Sequence, residues 1–470
     1  MNRIARRSLA MLVAVALMLG GLGFFMVEYF IKGKTWVLAP GSPHVYNGNA
    51  PQVEQNEQGE PEAVIKPNIG CGVITDRDGI LLLDTNNGRV YSSMEQLRAA
   101  TLHWIGDRLG NISAPAVSHY AQEIVGYDPI NGLYSYSGAG QANLTISSQV
   151  QLVALEAMGD RKGTVAVYNY KTGEILCAVT TPTFDPENPP ENVGYMDAVY
   201  MNRFTQFHYT PGSIFKIVTT AAALEEIPDI REQTFTCVGS YDFSDKSDPV
   251  TCESAHGTMN LTDALAKSCN CAYAAIVGQL GPETLKQYVE KYQVLERIRF
   301  DGIATKAGTF SVENAGLNQI AWSGIGQHQD KINPCAYMTF MGAIANGGRA
   351  VQPYVVSKVT CGGNTTYEAE PVTADPIMPT EIAVELQQMM RNNVVSKYGA
   401  DNFPGLTVCA KSGTAESDTA ASTALFTGFV MDEQYPLAFI VVVEEGGYGR
   451  QTCVPILAPV LAACKTLLDS

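Results

Sequence analysis

Ser213 and Lys216, three residues apart, are the first pair in the chain whose types and spacing point to chemistry. They close the stretch Tyr209-Thr-Pro-Gly-Ser-Ile-Phe-Lys216, in which Pro211 and Gly212 bend the chain into an apolar helical pattern. Positions i and i+3 share a helix face, so hydroxyl and amine come near hydrogen-bonding reach. A serine hydroxyl is a weak nucleophile until a base takes its proton, and an ammonium cannot be that base. Lowering a lysine from about 10.4 to about 7 costs roughly 4.6 kcal/mol, which burial and a second cation supply.

Two further clusters follow. Ser268-Cys-Asn270 comes 55 residues later, after the small-residue helical segment Leu261 to Lys267. Alone it reads as a helix end and turn. Lys411-Ser-Gly-Thr-Ala-Glu416 closes an apolar run from Leu406. There a cation, two hydroxyls (Ser412 and Thr414) and the bare backbone of Gly413 along a strand suit a carboxylate, with glycine admitting an extended substrate. Lys171-Thr-Gly173 has the same pattern but sits at a hairpin tip, where it is ordinary turn chemistry.

The elements that must position these residues are legible in part. Cys71 to Leu83 reads as strand, Asp78-Gly79 turn and strand, and Met94 to Arg108 as helix-compatible. A regular pattern starts at Leu144, with Ser147 as the expected cap of a helix carrying Val150, Leu152, Val153, Leu155 and Met158. Gly163 to Tyr170 and Glu174 to Thr180 form a hairpin, and Gly212 to Tyr292 is mainly helical. Leu406 to Ala410, Ala424 to Met431 and Pro436 to Glu444 are strands, followed by a helix from Pro455 to Leu468. The expectation is an α+β fold: an antiparallel sheet built from N- and C-terminal strands, with helices on both faces.

Composition sets the address. There are 31 Lys+Arg against 47 Asp+Glu, a formal charge of −16, which argues against nucleic acid as a partner. Eleven cysteines are too few for a disulfide scaffold, and none forms a CxxC pair with His, so no zinc site stands out. Arg3, Arg6 and Arg7 precede an uncharged run from Leu9 to Val27. Its length of about 28 Å matches the bilayer core, and its basic side places the N-terminus in the cytoplasm. Phe24-Phe-Met-Val27 makes a poor cleavage site, which favours a retained anchor. No later segment reads as a second span. Gly41 to Pro67 reads as linker.

In this order the three clusters resemble those of a class B penicillin-binding protein, a monofunctional peptidoglycan D,D-transpeptidase. Other familiar stretches are Lys162-Gly-Thr-Val-Ala-Val before Thr172-Gly-Glu-Ile-Leu, Ala255-His-Gly-Thr258 and Ile344-Ala-Asn-Gly-Gly348. The resemblance spans Leu144 to Leu468 well, and Trp36 to Gly140 loosely, through Asp76-Arg-Asp-Gly79. It implies Ser213 as nucleophile on a D-Ala carbonyl and Lys216 as general base. Ser268 passes a proton to the departing amine, and Asn270 binds the substrate amide. Lys411 supplies a second positive charge, while Ser412 and Thr414 bind the terminal carboxylate beside Gly413. The backbone N–H groups of Ser213 and Thr414 form the oxyanion hole. No metal or organic cofactor is implied.

Three regions are expected: anchor 1–31, an N-terminal pedestal or dimerisation-like domain 32–143, and a transpeptidase domain 144–470. Expected partners are peptidoglycan stem peptides, β-lactams, the cytoplasmic membrane and a separate glycosyltransferase, with the catalytic domain extracytoplasmic. The competing readings are a D,D-carboxypeptidase or β-lactamase on the same fold, and a non-enzymatic β-lactam sensor or wall-synthesis scaffold. Cys237 and Cys252 bracket a polar loop, and the sequence is equally consistent with a disulfide and with two thiols. Cys269 and Cys271 read as small apolar packing, His256 as structural, and Glu444 and Glu445 as solvated.

Overall fold

A computed structural model describes residues 3–36, 52–55, 61–64, 72–85, 89–125, 127–128, 132–133, 140–244, 247–313, 315–416 and 421–469. Most of the expected linker lies outside these residues, and its described parts, Gln52–Gln55 and Pro61–Val64, pair as antiparallel strands. Helix α1, Arg3–Trp36, contains a segment, Met11–Tyr29, long and apolar enough to cross a membrane.

Strands Val73–Thr75 and Leu81–Asp84 form the expected hairpin. They belong to a six-stranded sheet that also holds Val90–Tyr91, Gln141–Leu144, Val356–Cys361 and Asn364–Glu368. Residues far apart in the chain thus share this sheet. Asp76, fully buried at the hairpin turn, ties it to α2, Ser148–Met158. Its Oδ1 accepts the N–H groups of Asp78 and Ile80 at 2.9 and 2.8 Å, and its Oδ2 that of Ser148 at 2.9 Å. Ser147 occupies the expected cap position, but its own side chain makes no capping bond. A carboxylate from another element satisfies the orphan donor instead.

The central sheet is five-stranded and antiparallel, built from β1 (Gly163–Asn169) and β2 (Ile175–Thr181) with β3 (Val408–Ala415), β4 (Thr423–Val430) and β5 (Leu437–Val443). The order is β2-β1-β5-β4-β3, so the two ends of the region meet where β5 pairs with β1. Alternate residues divide between two cores: Val165 and Val167 pack on one face, Ala166 and Tyr168 on the other. Every residue of β1, β2 and β5 is buried, as a sheet covered on both faces requires.

One face carries α2 and the closing helix α3, Gly449–Asp469. The other carries Pro334–Ala345 and Thr380–Asn393. The closing helix starts before Pro455 and encloses both Pro455 and Pro459. It is also long and apolar enough to span a membrane, contrary to the reading that nothing after the anchor qualifies. Its apolar side, including Leu457, Val460 and Leu461, is buried in the core beneath the sheet, which accounts for that composition. The helical middle is broken by short strand pairs, Phe235–Cys237 with Gly257–Met259 and Ser240–Tyr241 with Val250–Thr251.

Candidate active site

The fold brings the three clusters onto one cleft of about 240 Å³, lined by Ser213, Ser268, Asn270, Ser412 and Thr414 among others. Ser213 lies in a tight 3-10 turn, Gly212–Phe215, that leads directly into the helix Lys216–Glu226. Gly212 has φ +55°, and a Cβ there would lie 2.6 Å from the Thr414 carbonyl oxygen, so only glycine fits. Its N–H donates to the Gly326 carbonyl at 2.7 Å, fixing the turn from the opposite side.

Lys216 Nζ lies 3.0 Å from Ser213 Oγ. Its other contacts are the Ser268 carbonyl at 2.8 Å, Ser268 Oγ at 3.1 Å and Asn270 Oδ1 at 2.7 Å. Burial pushes Lys216 down to about 7, opposed by negative charge from Cys252, Cys269 and Cys271. Near neutral pH a useful fraction is therefore free amine, able to accept the Ser213 proton.

Ser268 sits between the helices Leu261–Ala266 and Asn270–Leu280, with φ +54°, a conformation non-glycine residues seldom adopt. This junction aims its hydroxyl between two lysines. Lys411 Nζ, fully buried on β3, lies 3.0 Å from Ser268 Oγ and donates to the Ser412 carbonyl at 2.8 Å. Burial, then repulsion from Lys216, holds Lys411 well below the usual lysine range. Asn270 donates through Nδ2 to the Thr251 carbonyl at 2.7 Å, which orients its oxygen towards Lys216.

Strand β3 lies at the sheet edge and presents Ser412 and Thr414 to the cleft. Gly413 has a different reason from substrate approach: a Cβ there would lie 2.8 Å from the Pro211 carbonyl oxygen and 3.1 Å from Ile214 Cγ2. Its bareness lets the Ser213 turn pack on the strand. Lys171-Thr-Gly173 is indeed remote, with Lys171 Nζ bonded to Asn346 Oδ1 at 2.7 Å on the surface.

Residues 163–462 match the family model described as the penicillin binding protein transpeptidase domain. The chain belongs to this family. Among curated relatives of this penicillin-binding protein, it is 29% identical over 347 residues to the peptidoglycan D,D-transpeptidase PbpA of Mycolicibacterium smegmatis, covering 66% of this chain and 68% of that one. Stage V sporulation protein D of Bacillus subtilis is 27% identical over 288 residues, covering 58% and 44%. Among solved structures, penicillin-binding protein A of M. tuberculosis as a ceftriaxone acyl-enzyme superposes with TM-score 0.71 at 22% identity, covering 84% of this chain and 98% of that one.

The structure of this penicillin-binding protein corrects the reading of Glu444 and answers the question left open at Cys237 and Cys252. Glu444 is not solvated: its Oε1 accepts from Arg203 Nε and from the Tyr209 hydroxyl, each at 2.8 Å. Cys237 and Cys252 are not joined, and the described cysteines are free thiols. Instead the sulfurs of Cys237, Cys252 and Cys269 gather with a ring nitrogen of His256 within 4.8 Å of one another. Cys269, which is also packed in the core, is one of these four, and Cys271 is not. Sequence reasoning also missed Tyr398, whose hydroxyl lies 3.0 Å from Ser412 Oγ and accepts the Ser412 N–H at 3.0 Å. It missed Gln327, which donates to the Thr414 carbonyl at 3.3 Å, although the glycines of Gly324-Ile-Gly-Gln327 were a signal.

Proposed function

We propose that the protein is a membrane-anchored peptidoglycan D,D-transpeptidase that works through an acyl-enzyme on Ser213. The observation that carries this reading is the contact of Ser213 Oγ with the buried Lys216 amine at 3.0 Å, in a chain matching the transpeptidase family. Lys216 takes the hydroxyl proton as Ser213 attacks the carbonyl of the penultimate D-Ala. The Ser213 and Thr414 N–H groups receive the developing oxyanion. The peptide C–N bond breaks, Ser268 passes a proton to the departing D-Ala amine, and the acyl group stays on Ser213. An amine from a second stem peptide then attacks the ester and restores the serine.

The substrate carboxylate completes the electrostatics. Seated against Lys411, Ser412 and Thr414, it stabilises a charged Lys411, which in turn favours neutral Lys216. Asn270 holds the substrate amide. A β-lactam enters the same cleft, and its ring amide opens onto Ser213 to leave a stable ester.

Residues 1–31 serve as the anchor, with Arg3, Arg6 and Arg7 on the cytoplasmic side and the catalytic region outside. Residues 32–143 act as pedestal and 144–470 as the catalytic domain. A separate glycosyltransferase supplies the glycan strands; a complex recorded between a Helicobacter pylori PBP2 and MreC supports an assembly with cell-wall partners.

Labelling full-length protein with a fluorescent penicillin tests the reading. The label should map to the peptide containing Ser213, vanish in Ser213→Ala, and persist for hours. Rapid turnover of the label would favour a β-lactamase or carboxypeptidase; undiminished wall growth with Ser213→Ala would favour a scaffold.

A further inference from the structure

Cys237, Cys252, His256 and Cys269 show no metal-like spacing in the sequence, yet their ligand atoms lie within 4.8 Å of one another. Short strands assemble them. Cys237 faces Gly257 in the Phe235–Cys237 pairing, which puts its Sγ 3.6 Å from His256 Nδ1. The Cys252 N–H donates to the Gly239 carbonyl at 2.9 Å, and Cys252 Sγ lies 3.9 Å from Cys269 Sγ. The N–H groups of Cys271 and Ala272 donate to Cys252 Sγ and Cys269 Sγ, each at 3.5 Å. Such bonds hold sulfurs in place around a centre and stabilise thiolates.

Donor separation decides between two chemistries. A tetrahedral zinc centre with bonds of about 2.3 Å to sulfur and about 2.0 Å to nitrogen separates its ligands by roughly 3.5–3.8 Å. The 3.6 and 3.9 Å separations fall close to those edges. A disulfide needs about 2.05 Å between two sulfurs and gives no role to an imidazole aimed at them.

We propose that Cys237, Cys252, His256 and Cys269 form a structural site for one Zn²⁺ ion. Three thiols release their protons to solvent as three Zn–S bonds form, and neutral Nδ1 donates its lone pair; nothing is oxidised or reduced. Four protein ligands close the shell, and three sulfurs select a borderline-soft cation over magnesium or calcium. Cys269 lies between Ser268 and Asn270, so the ion clamps the loop from Cys237 to His256 onto the segment that contacts Lys216 Nζ. The ion is a positioning device for that segment. Cys271 Sγ, 3.5 Å from Cys252 Sγ, is the competing thiol.

The test is metal analysis of the full-length protein purified without chelator. About one zinc per chain is expected, with loss in Cys237→Ser and in His256→Ala. Cys361→Ser, in the six-stranded sheet, should retain the ion. Cobalt exchanged into the site should give the visible absorption of a tetrahedral thiolate complex. Chelation or His256→Ala should slow penicillin acylation of Ser213 several-fold, and zinc should restore the chelated protein. Only this acylation readout rests on the acyl-transfer reading; metal content does not. The proposal is overturned if the protein takes up no zinc when supplied with it, or if peptide mapping finds Cys237 disulfide-bonded to Cys252. Loss of zinc in Cys271→Ser but not in Cys269→Ser would overturn the ligand assignment.

Discussion

Lys216 and Lys411 converge on a single hydroxyl, with Ser268 Oγ 3.1 Å from the first amine and 3.0 Å from the second. Both amines are fully buried. Two ammonium groups sharing one oxygen inside a protein repel strongly, so the arrangement favours releasing a proton. That is what a serine nucleophile needs. It also makes Ser268 a bridge between Lys216 and the edge strand β3.

The first expected outcome concerns pH. Lys216 is lowered to about 7, so the active free amine grows as pH rises through 7 and dominates above it. Acylation of Ser213 by a β-lactam should therefore rise through neutrality and level off on the alkaline side. Stopped-flow rates over a pH series at constant ionic strength measure this. A rate flat between mildly acid and mildly alkaline pH would remove Lys216 as the base.

Gly413→Ala should keep the fold and lose acylation. The added methyl would meet the Pro211 carbonyl at 2.8 Å and Ile214 Cγ2 at 3.1 Å, on either side of the nucleophile. Separating β3 from that turn shifts Ser213 relative to Thr414. A misplacement of about 1 Å can cost roughly 100-fold. A cooperative thermal transition with a lowered midpoint, together with that loss in the acylation rate constant, is the expected pair of results.

Tyr398→Phe should weaken initial β-lactam binding more than it slows the covalent step. The hydroxyl fixes Ser412 through two contacts of 3.0 Å, one to Oγ and one from its N–H. Losing them costs about 1–1.5 kcal/mol, or roughly tenfold in affinity. The readout is the concentration dependence of acylation, separating the binding constant from the limiting rate. Equal losses in both would mean that Tyr398 positions Ser213 as well.

What the sequence made legible, and what it left hidden, follows from the range of each interaction. Ser213 and Lys216 are neighbours on one turn, so their contact was readable from spacing alone. The strands of the central sheet were readable because β1, β2 and β5 are rich in Val, Ile, Thr and aromatic residues. Tyr398 was not readable, because its role exists only where the end of one helical segment meets β3. The thiol cluster was hidden for the same reason: a strand pairing that sets Cys237 against Gly257, beside His256, and a backbone bond from Cys252 to Gly239, not a local motif, assemble it. Glu444 was misread because a strand-end carboxylate usually faces water, whereas here Arg203 lies beneath it.

That ion pair gives the last prediction. Arg203 is fully buried, and Glu444 is 19% exposed with its Oε1 2.8 Å from Arg203 Nε. Glu444→Ala leaves the guanidinium with Asp197 Oδ2 at 3.5 Å and the carbonyls of Asp197 and Ala198. Truncating one partner of a buried pair costs about 3 kcal/mol. The Tyr209 hydroxyl also loses its acceptor, just ahead of the turn that carries Ser213. Glu444→Gln keeps an oxygen acceptor and should cost less than half as much. Replacing both Arg203 and Glu444 with leucine should recover part of the loss, because no charge is then left buried. Denaturant titration of the three variants measures these differences. If Glu444→Ala were as stable as wild type, the pair would be a surface contact, and Tyr209 would owe its position to its packing on Phe207 and to the mutual backbone hydrogen bonds with Ile332 at 2.8 Å.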